Sequence, residues 1–296
     1  LHLSGSITAL ATPFTAAGEL DLDAWSRLID RQLAAGSRGI VVAGSTGEAA
    51  MLADEEYSAL VGLAVQQVAG RLRVLAGTGH SGTARTLAQA QLAQRCGADA
   101  ALVVTPPYVR PTQAGLQAHY LAVAEQGGLP VVLYNVPGRT GCDLLPETVA
   151  RLHAHPGIIG LKEARGDVER WDALYPLAGP QFALLSGDDP TFVRAMLGGA
   201  VGVISVASNV VPRAFARLCT QVAAGDIAGA LALDQSLAGL YEFLGVEPNP
   251  VPVKALLARM GIGHGLRLPL LPLSAGHNAQ AQAMAALCER IEHGLT

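Results

Sequence analysis

The 296-residue sequence predicts an α/β fold, a (β/α)8 or TIM barrel followed by a C-terminal helical region. Three observations lead there. Eight short apolar runs rich in β-branched residues recur along the chain, segments of helical spacing separate them, and the remainder from about Asp226 reads as helices without a further strand. The barrel is therefore expected over residues 1–225 and the helical region over 226–296.

The runs cover residues 6–10, 39–43, 72–76, 101–104, 130–134, 158–162, 182–186 and 201–205. Their length and apolarity suit strands buried on both faces, as a parallel sheet requires. The first leads into a helical segment at 23–35 and the second into one at 54–69, where Asp54 precedes Glu55 and Glu56 in an acidic first turn. The third precedes a helix at 83–95 that Ser81 or Thr83 can cap, and the fourth one at 113–125. The fifth is followed by 146–153, opened by Pro146 and Glu147 in its first turn, and the sixth by 167–177. Segments 190–197 and 212–223 complete the seventh and eighth units, with Asp188 and Asp189 read as caps of the former. Eight right-handed βα units close naturally into a barrel.

Composition narrows the function. Half the residues are hydrophobic, 15% are charged and the formal net charge is −4, which suits a large core and disfavours nucleic acid as a partner. Cys96, Cys142, Cys219 and Cys288 are widely spaced without a C-x-x-C, against both a disulfide framework and a thiolate zinc site. A reducing cytoplasm is the expected compartment. No apolar stretch reaches the roughly 18 residues that a bilayer span needs, and residues 1–10 lack the marks of a signal peptide, so a soluble, unexported protein is expected.

In such barrels the chemistry sits where strands run into loops at their C-terminal ends. After the second run, Gly44-Ser45-Thr46-Gly47-Glu48 offers hydroxyls and backbone N–H groups to a carboxylate or phosphate, or serves as a plain capped turn. After the third, Gly77-Thr78-Gly79-His80-Ser81-Gly82 matches G-x-G-x-x-G, with Asp99 17 residues beyond. Two βα units already precede it, whereas the dinucleotide fingerprint belongs to the first unit of an open sheet, so a tight barrel loop is the preferred account. Tyr108 follows the fourth run, and Tyr134 ends the fifth, before Asn135-Val136-Pro137-Gly138-Arg139-Thr140-Gly141; Arg139 suits a bidentate carboxylate clamp. His153-x-His155 lies in a helix tail, a poor place for a metal, and nothing else calls for one.

Lys162 carries the most information. The chain has 18 arginines and only two lysines, Lys162 and Lys254. Lys162 closes the apolar run Ile158-Ile159-Gly160-Leu161, and an inward-facing amine there would be driven toward its neutral, nucleophilic form by desolvation. The alternative is an exposed strand edge or a pair with Glu163.

Together these segments resemble the dihydrodipicolinate synthases, more formally 4-hydroxy-tetrahydrodipicolinate synthases, within the pyruvate-dependent class I aldolases. The resemblance also takes in residues 8–14, 160–164, 185–189 and 246–254 and runs in family order over almost the whole chain. It implies that Lys162 forms a Schiff base with pyruvate, whose enamine attacks L-aspartate 4-semialdehyde on the diaminopimelate route to L-lysine. No cofactor beyond that covalent adduct is implied. In the family pattern Tyr134 assists proton transfer, linked through the Ser45 hydroxyl to Tyr108 of a neighbouring subunit. Ser45 and Thr46 would hold the pyruvate carboxylate and Arg139 that of the semialdehyde; Ile204 and Gly187 would line the pyruvate pocket. A homo-oligomer is implied, usually a tetramer built as a dimer of dimers.

Two departures matter. Ser45 stands where the family usually has Thr, keeping the hydroxyl with a freer rotamer. Pro107, Tyr57, Ser81 and Arg85 occupy positions where lysine-inhibited members carry Tyr, His, Asn and Glu, and an Arg in place of a carboxylate repels a lysine ammonium. Weak or absent inhibition by L-lysine is expected. The rival readings are a sugar-acid aldolase of the same superfamily, acting on N-acetylneuraminate or keto-deoxy-sugar acids and generally lacking this arginine, an NAD-dependent oxidoreductase, and a non-catalytic binding paralogue.

Overall fold

A computed structural model describes residues 1–295; Thr296, the last residue of the expected helical region, lies outside them. The strands are β1 (Gly5–Ala9), β2 (Gly39–Val42), β3 (Arg73–Gly77), β4 (Ala100–Val104), β5 (Val131–Asn135), β6 (Ile158–Glu163), β7 (Ala183–Ser186) and β8 (Gly202–Ser205). All pair in parallel and in sequence order, and β1 returns to β8 through Ile7 and Ile204, which closes the barrel.

Around it lie α1 (Leu22–Ala35), α2 (Asp54–Val68), α3 (Thr83–Arg95), α4 (Gln113–Gln126), the single turn α5 (Pro137–Thr140), α6 (Pro146–Leu152), α7 (Val168–Leu174), α8 (Phe192–Gly198) and α9 (Pro212–Ala223). The chain continues in α10 (Ile227–Ser236), α11 (Ala238–Leu244), α12 (Val251–Arg259) and α13 (Asn278–His293).

Alternation along the strands divides the core in two. Ile7, Val41, Leu75, Leu102, Val132 and Ile204 fill the barrel interior, while their strand neighbours Ile40, Val42, Val74, Ala101, Leu133 and Leu161 pack outward against the helices. Both faces are buried, which is why the strands read as continuous apolar runs. α1 shows the helical layer: Asp21 accepts the Ala24 N–H at 2.9 Å, Trp25, Leu28, Ile29 and Gln32 form the buried face, and left-handed Gly36 ends it. At the far end the Glu292 carboxylate of α13 accepts the Arg213 and Ala214 N–H groups at 3.2 and 3.1 Å, capping α9 from another helix.

Several local expectations give way. Gly82, not Ser81 or Thr83, precedes α3, and the Thr86 hydroxyl turns back to accept the His80 N–H at 3.0 Å. Asp54 opens α2 and its acidic first turn as expected, and Glu56 accepts the Ala53 N–H at 3.0 Å. The segment expected as one helix at 167–177 ends its α-helical part at Leu174 and passes into a 3-10 turn, Tyr175–Leu177. Pro176 within it has no N–H to continue the ladder.

Asp189 does not cap α8. It starts a 3-10 turn of residues 189–191, and its Oδ2 accepts the N–H groups of Val206 and Ala207, just beyond β8, at 3.1 and 2.7 Å. Backbone donors freed at the end of β8 outcompete those of the following helix, because the carboxylate is held among them and shielded from water.

Candidate active site

Strand alternation decides which side each β6 residue serves. Leu161 packs outward, so Lys162 points into the barrel, and Glu163 again faces the helices. Lys162 is 5% exposed, and its Nζ stands 4.4 Å from the centroid of the Tyr134 ring, on the β5 residue in register with it. Among the described residues no carboxylate pairs with Lys162; its neighbour Glu163 is instead held by Arg170 at 2.8 Å, by the Asn135 amide at 3.1 Å and by the Arg165 N–H at 2.9 Å. Burial nonetheless pushes the Glu163 carboxyl above the ordinary carboxylate range, with the Arg170 guanidinium pulling the other way. The pairing of Lys162 with Glu163, the bland alternative for this lysine, does not occur.

Gly187, the residue after β7, lies flat against the lysine, where a methyl group would stand 2.7 Å from Lys162 Cε. Leu185 and Ile204 belong to the same interior cluster as Tyr134, so the amine rests on an apolar floor at the C-terminal end of the barrel.

The Gly44–Glu48 loop follows β2. Thr46 is buried, Ser45 is partly exposed, and Glu48 takes left-handed backbone with φ 56°. The Thr12 hydroxyl donates to the Gly47 carbonyl at 2.7 Å, pinning the loop from the end of β1. No hydrogen bond joins the Ser45 and Tyr134 hydroxyls among the described residues. Arg139 extends from α5 and donates through Nη2 to the Asn249 carbonyl at 2.8 Å. Tyr108 is 92% exposed with φ 74°, and its loop is tied to that of Arg139: its N–H donates to the Thr140 carbonyl at 3.2 Å and the Thr105 hydroxyl to that of Thr140 at 3.0 Å. Lys162, Tyr134 and Ile204 thus come from three strands and Gly187 from the residue after a fourth, Ser45 and Thr46 sit on the loop after β2, Arg139 on α5, and Tyr108 stands exposed on the loop after β4.

The glycine-rich loop after β3 has a packing explanation. A Cβ at Gly77 would stand 2.0 Å from the Ala43 carbonyl oxygen and one at Gly79 2.5 Å from the Val104 nitrogen, so both glycines let the loop press on the ends of β2 and β4. His153 and His155 are likewise engaged locally, with the Ala150 carbonyl at 2.7 Å and the Gly157 N–H at 3.0 Å.

Reading by segments missed the bracing from the far end of the chain. Asn249 donates through Nδ2 to the Thr46 hydroxyl at 3.0 Å. Lys254, the second lysine, pairs in the interior with Glu48, and its Nζ lies 4.2 Å from the Phe14 ring centroid. Burial holds the Lys254 ammonium below the usual lysine range although Glu48 pulls it back. Arg267 donates its N–H to Glu48 at 3.1 Å and stacks on the same Phe14 ring at 4.2 Å. Two signals were available: the scarcity of lysine, which marked Lys254 as much as Lys162, and the family resemblance over residues 246–254.

Comparisons with known proteins converge on one family. The model of the dihydrodipicolinate synthetase family matches residues 2–288. A 4-hydroxy-tetrahydrodipicolinate synthase of Xanthomonas axonopodis pv. citri (strain 306) is 63% identical over 97% of this chain and 95% of its own length. Among solved structures, the chloride-inhibited dihydrodipicolinate synthase of Acinetobacter baumannii, complexed with pyruvate, superposes with a TM-score of 0.94 at 39% identity, covering 97% of this chain and 99% of that one. A dihydrodipicolinate synthase variant described as monomeric does so at 0.91 and 38% identity, covering 99% and 98%.

Proposed function

The chain belongs to the dihydrodipicolinate synthetase family, and on that premise we propose that Lys162 is the residue through which it acts. The chain is a lyase of the class I aldolase type with 4-hydroxy-tetrahydrodipicolinate synthase activity, condensing pyruvate with L-aspartate 4-semialdehyde on the diaminopimelate route to L-lysine. The observation that carries the assignment is the placement of Lys162: inside the barrel, against Tyr134 and Gly187, with no carboxylate partner among the described residues.

The Nζ lone pair of Lys162 attacks C2 of pyruvate, water leaves, and a protonated Schiff base results. Its positive charge draws electrons from the methyl carbon, which loses a proton to give the enamine. That carbon attacks the aldehyde of the second substrate, whose own amino group then adds to the Schiff-base carbon and expels Lys162 by transimination, closing the ring. Tyr134, beside the amine, serves the proton transfers, with Ser45 and Tyr108 completing the relay. Ser45, Thr46 and the loop N–H groups receive the pyruvate carboxylate, while Arg139 receives that of the semialdehyde. Gly187 and Ile204 shape the pyruvate pocket.

Tyr108 serves the site of a neighbouring copy, so the working form is a homo-oligomer, a tetramer arranged as a dimer of dimers. Its near-complete exposure and left-handed backbone, on a loop braced by the Arg139 loop, support this reading. Among the described residues no helix is long and apolar enough to cross a membrane, all four cysteines are free, and no group of His, Cys, Asp and Glu gathers that could hold a metal ion. Free thiols favour the cytoplasm as the compartment, and the covalent adduct on Lys162 removes the need for a cofactor.

Borohydride reduction in the presence of pyruvate, followed by peptide mass mapping, tests the assignment. A reduced pyruvate adduct on Lys162, absent from Lys162→Ala, together with turnover in an assay supplied with the semialdehyde, is expected. An unmodified Lys162, or full turnover by Lys162→Ala, overturns it.

A further inference from the structure

The two groups assigned to the two substrate carboxylates, the Thr46 hydroxyl and the Arg139 guanidinium, are held by one residue from outside the strands and their loops. Asn249 precedes α12 and lies 203 positions from Thr46. Its side-chain Nδ2 donates to Thr46 Oγ1 at 3.0 Å, and its backbone carbonyl accepts from Arg139 Nη2 at 2.8 Å. Its own Oδ1 is buried and takes no hydrogen bond among the described residues, so the bond to Thr46 is what orients the amide. The segment that carries it is anchored in turn, since Lys254 on α12 pairs with Glu48 in the same loop as Thr46.

A hydroxyl has one hydrogen to give. When Asn249 occupies a lone pair of Thr46 Oγ1 as donor, the Thr46 hydrogen is left to point elsewhere, and a carboxylate beside it needs such a donor. We propose that Asn249 is a positioning residue that sets the polarity of the Thr46 hydroxyl, making Thr46 a hydrogen-bond donor to the keto-acid carboxylate. This deepens the assignment of pyruvate to the Gly44–Glu48 loop and rests on it. The side chain acts on the keto acid, whereas the contact with Arg139 runs through backbone and survives side-chain replacement.

The test is initial-rate kinetics with both substrates varied, on Asn249→Asp, Asn249→Ala, Thr46→Val and the Asn249→Asp/Thr46→Val pair. Aspartate can only accept, so Thr46 must donate to it and turn a lone pair toward pyruvate. Asn249→Asp is expected to raise the pyruvate KM by about tenfold or more, the size of a lost charge-assisted hydrogen bond. The semialdehyde KM and kcat stay within about twofold by the same reasoning. Asn249→Ala raises the pyruvate KM by a smaller factor and carries the test if the aspartate variant fails to fold. In the Thr46→Val background the aspartate substitution has no further effect on pyruvate. An unchanged pyruvate KM in both variants, the same effect with and without the Thr46 hydroxyl, or a rise confined to the semialdehyde overturns the proposal. Borohydride trapping of the unsubstituted protein separates the two levels: no pyruvate adduct there defeats the underlying reading, while trapping with unaltered variant kinetics defeats the role of Asn249 alone.

Discussion

Gly187 leaves the space that Lys162 fills. The glycine follows β7, the lysine is on β6, and a methyl group on Gly187 would stand 2.7 Å from Lys162 Cε and 3.0 Å from Cγ. Its N–H donates to the Glu163 carbonyl at 2.7 Å, so the two backbones cannot separate to make room. The side chain that must yield is the lysine proposed to bond pyruvate.

Gly187→Ala is therefore expected to leave the fold largely intact, at a cost of about 1–3 kcal/mol for overpacking. It should lower kcat by about 10- to 100-fold, because a displacement near 1 Å at the reacting atom has consequences of that size. Slower borohydride trapping by pyruvate checks this directly. Gly276→Ala, where a Cβ meets nothing within 4 Å, is the neutral control.

Asp189 makes stability depend on pH. Its carboxyl is pushed up to about 6 by burial, against the opposing pull of the Ala207 and Val206 N–H groups. A carboxyl that titrates higher folded than unfolded binds more protons in the folded state, so its contribution is complete below the ordinary aspartate value of 3.8 and is lost as pH rises through about 6. Asp189→Asn removes that dependence while keeping an acceptor for the two N–H groups. Denaturation of both proteins between pH 4 and 7 should show the wild type losing on the order of 3 kcal/mol relative to the variant, most of it before pH 6. Parallel pH profiles count against the assignment.

The exposed Tyr108 predicts complementation between inactive chains. Tyr108→Phe retains Lys162, and Lys162→Ala retains Tyr108. Co-expressed, they form mixed dimers in which one of two sites has both groups, so random pairing yields about a quarter of wild-type activity where neither variant alone has much. Activity equal to the mean of the two variants would mean that Tyr108 works within its own chain.

L-lysine is expected to inhibit weakly or not at all. Arg85, placed where an ammonium would need a carboxylate, is paired with Asp54, and this contact holds the Asp54 carboxyl below the usual range. The Ser81 hydroxyl is spent on the Pro107 carbonyl at 2.9 Å. Half-maximal inhibition at submillimolar lysine would contradict this.

Amino-acid order alone determined the barrel and named its chemistry. Eight apolar runs placed the strands to within a residue or two, because strands buried on both faces must be apolar throughout. The lysine on the sixth run, the tyrosine ending the fifth and the hydroxyl loop after the second were legible because each interrupts or follows an otherwise apolar strand. Tertiary structure decided the rest. Alternation put Lys162 and Glu163 on opposite faces, but only closure of the sheet made the lysine's face the interior. Asp189 could find the end of β8, and Asn249 and Lys254 the Gly44–Glu48 loop, only once the strands had closed and the C-terminal helices had docked. A hydrogen bond or ion pair spanning some two hundred residues leaves no local periodicity to read, because it is set by where the packed core brings the chain's ends.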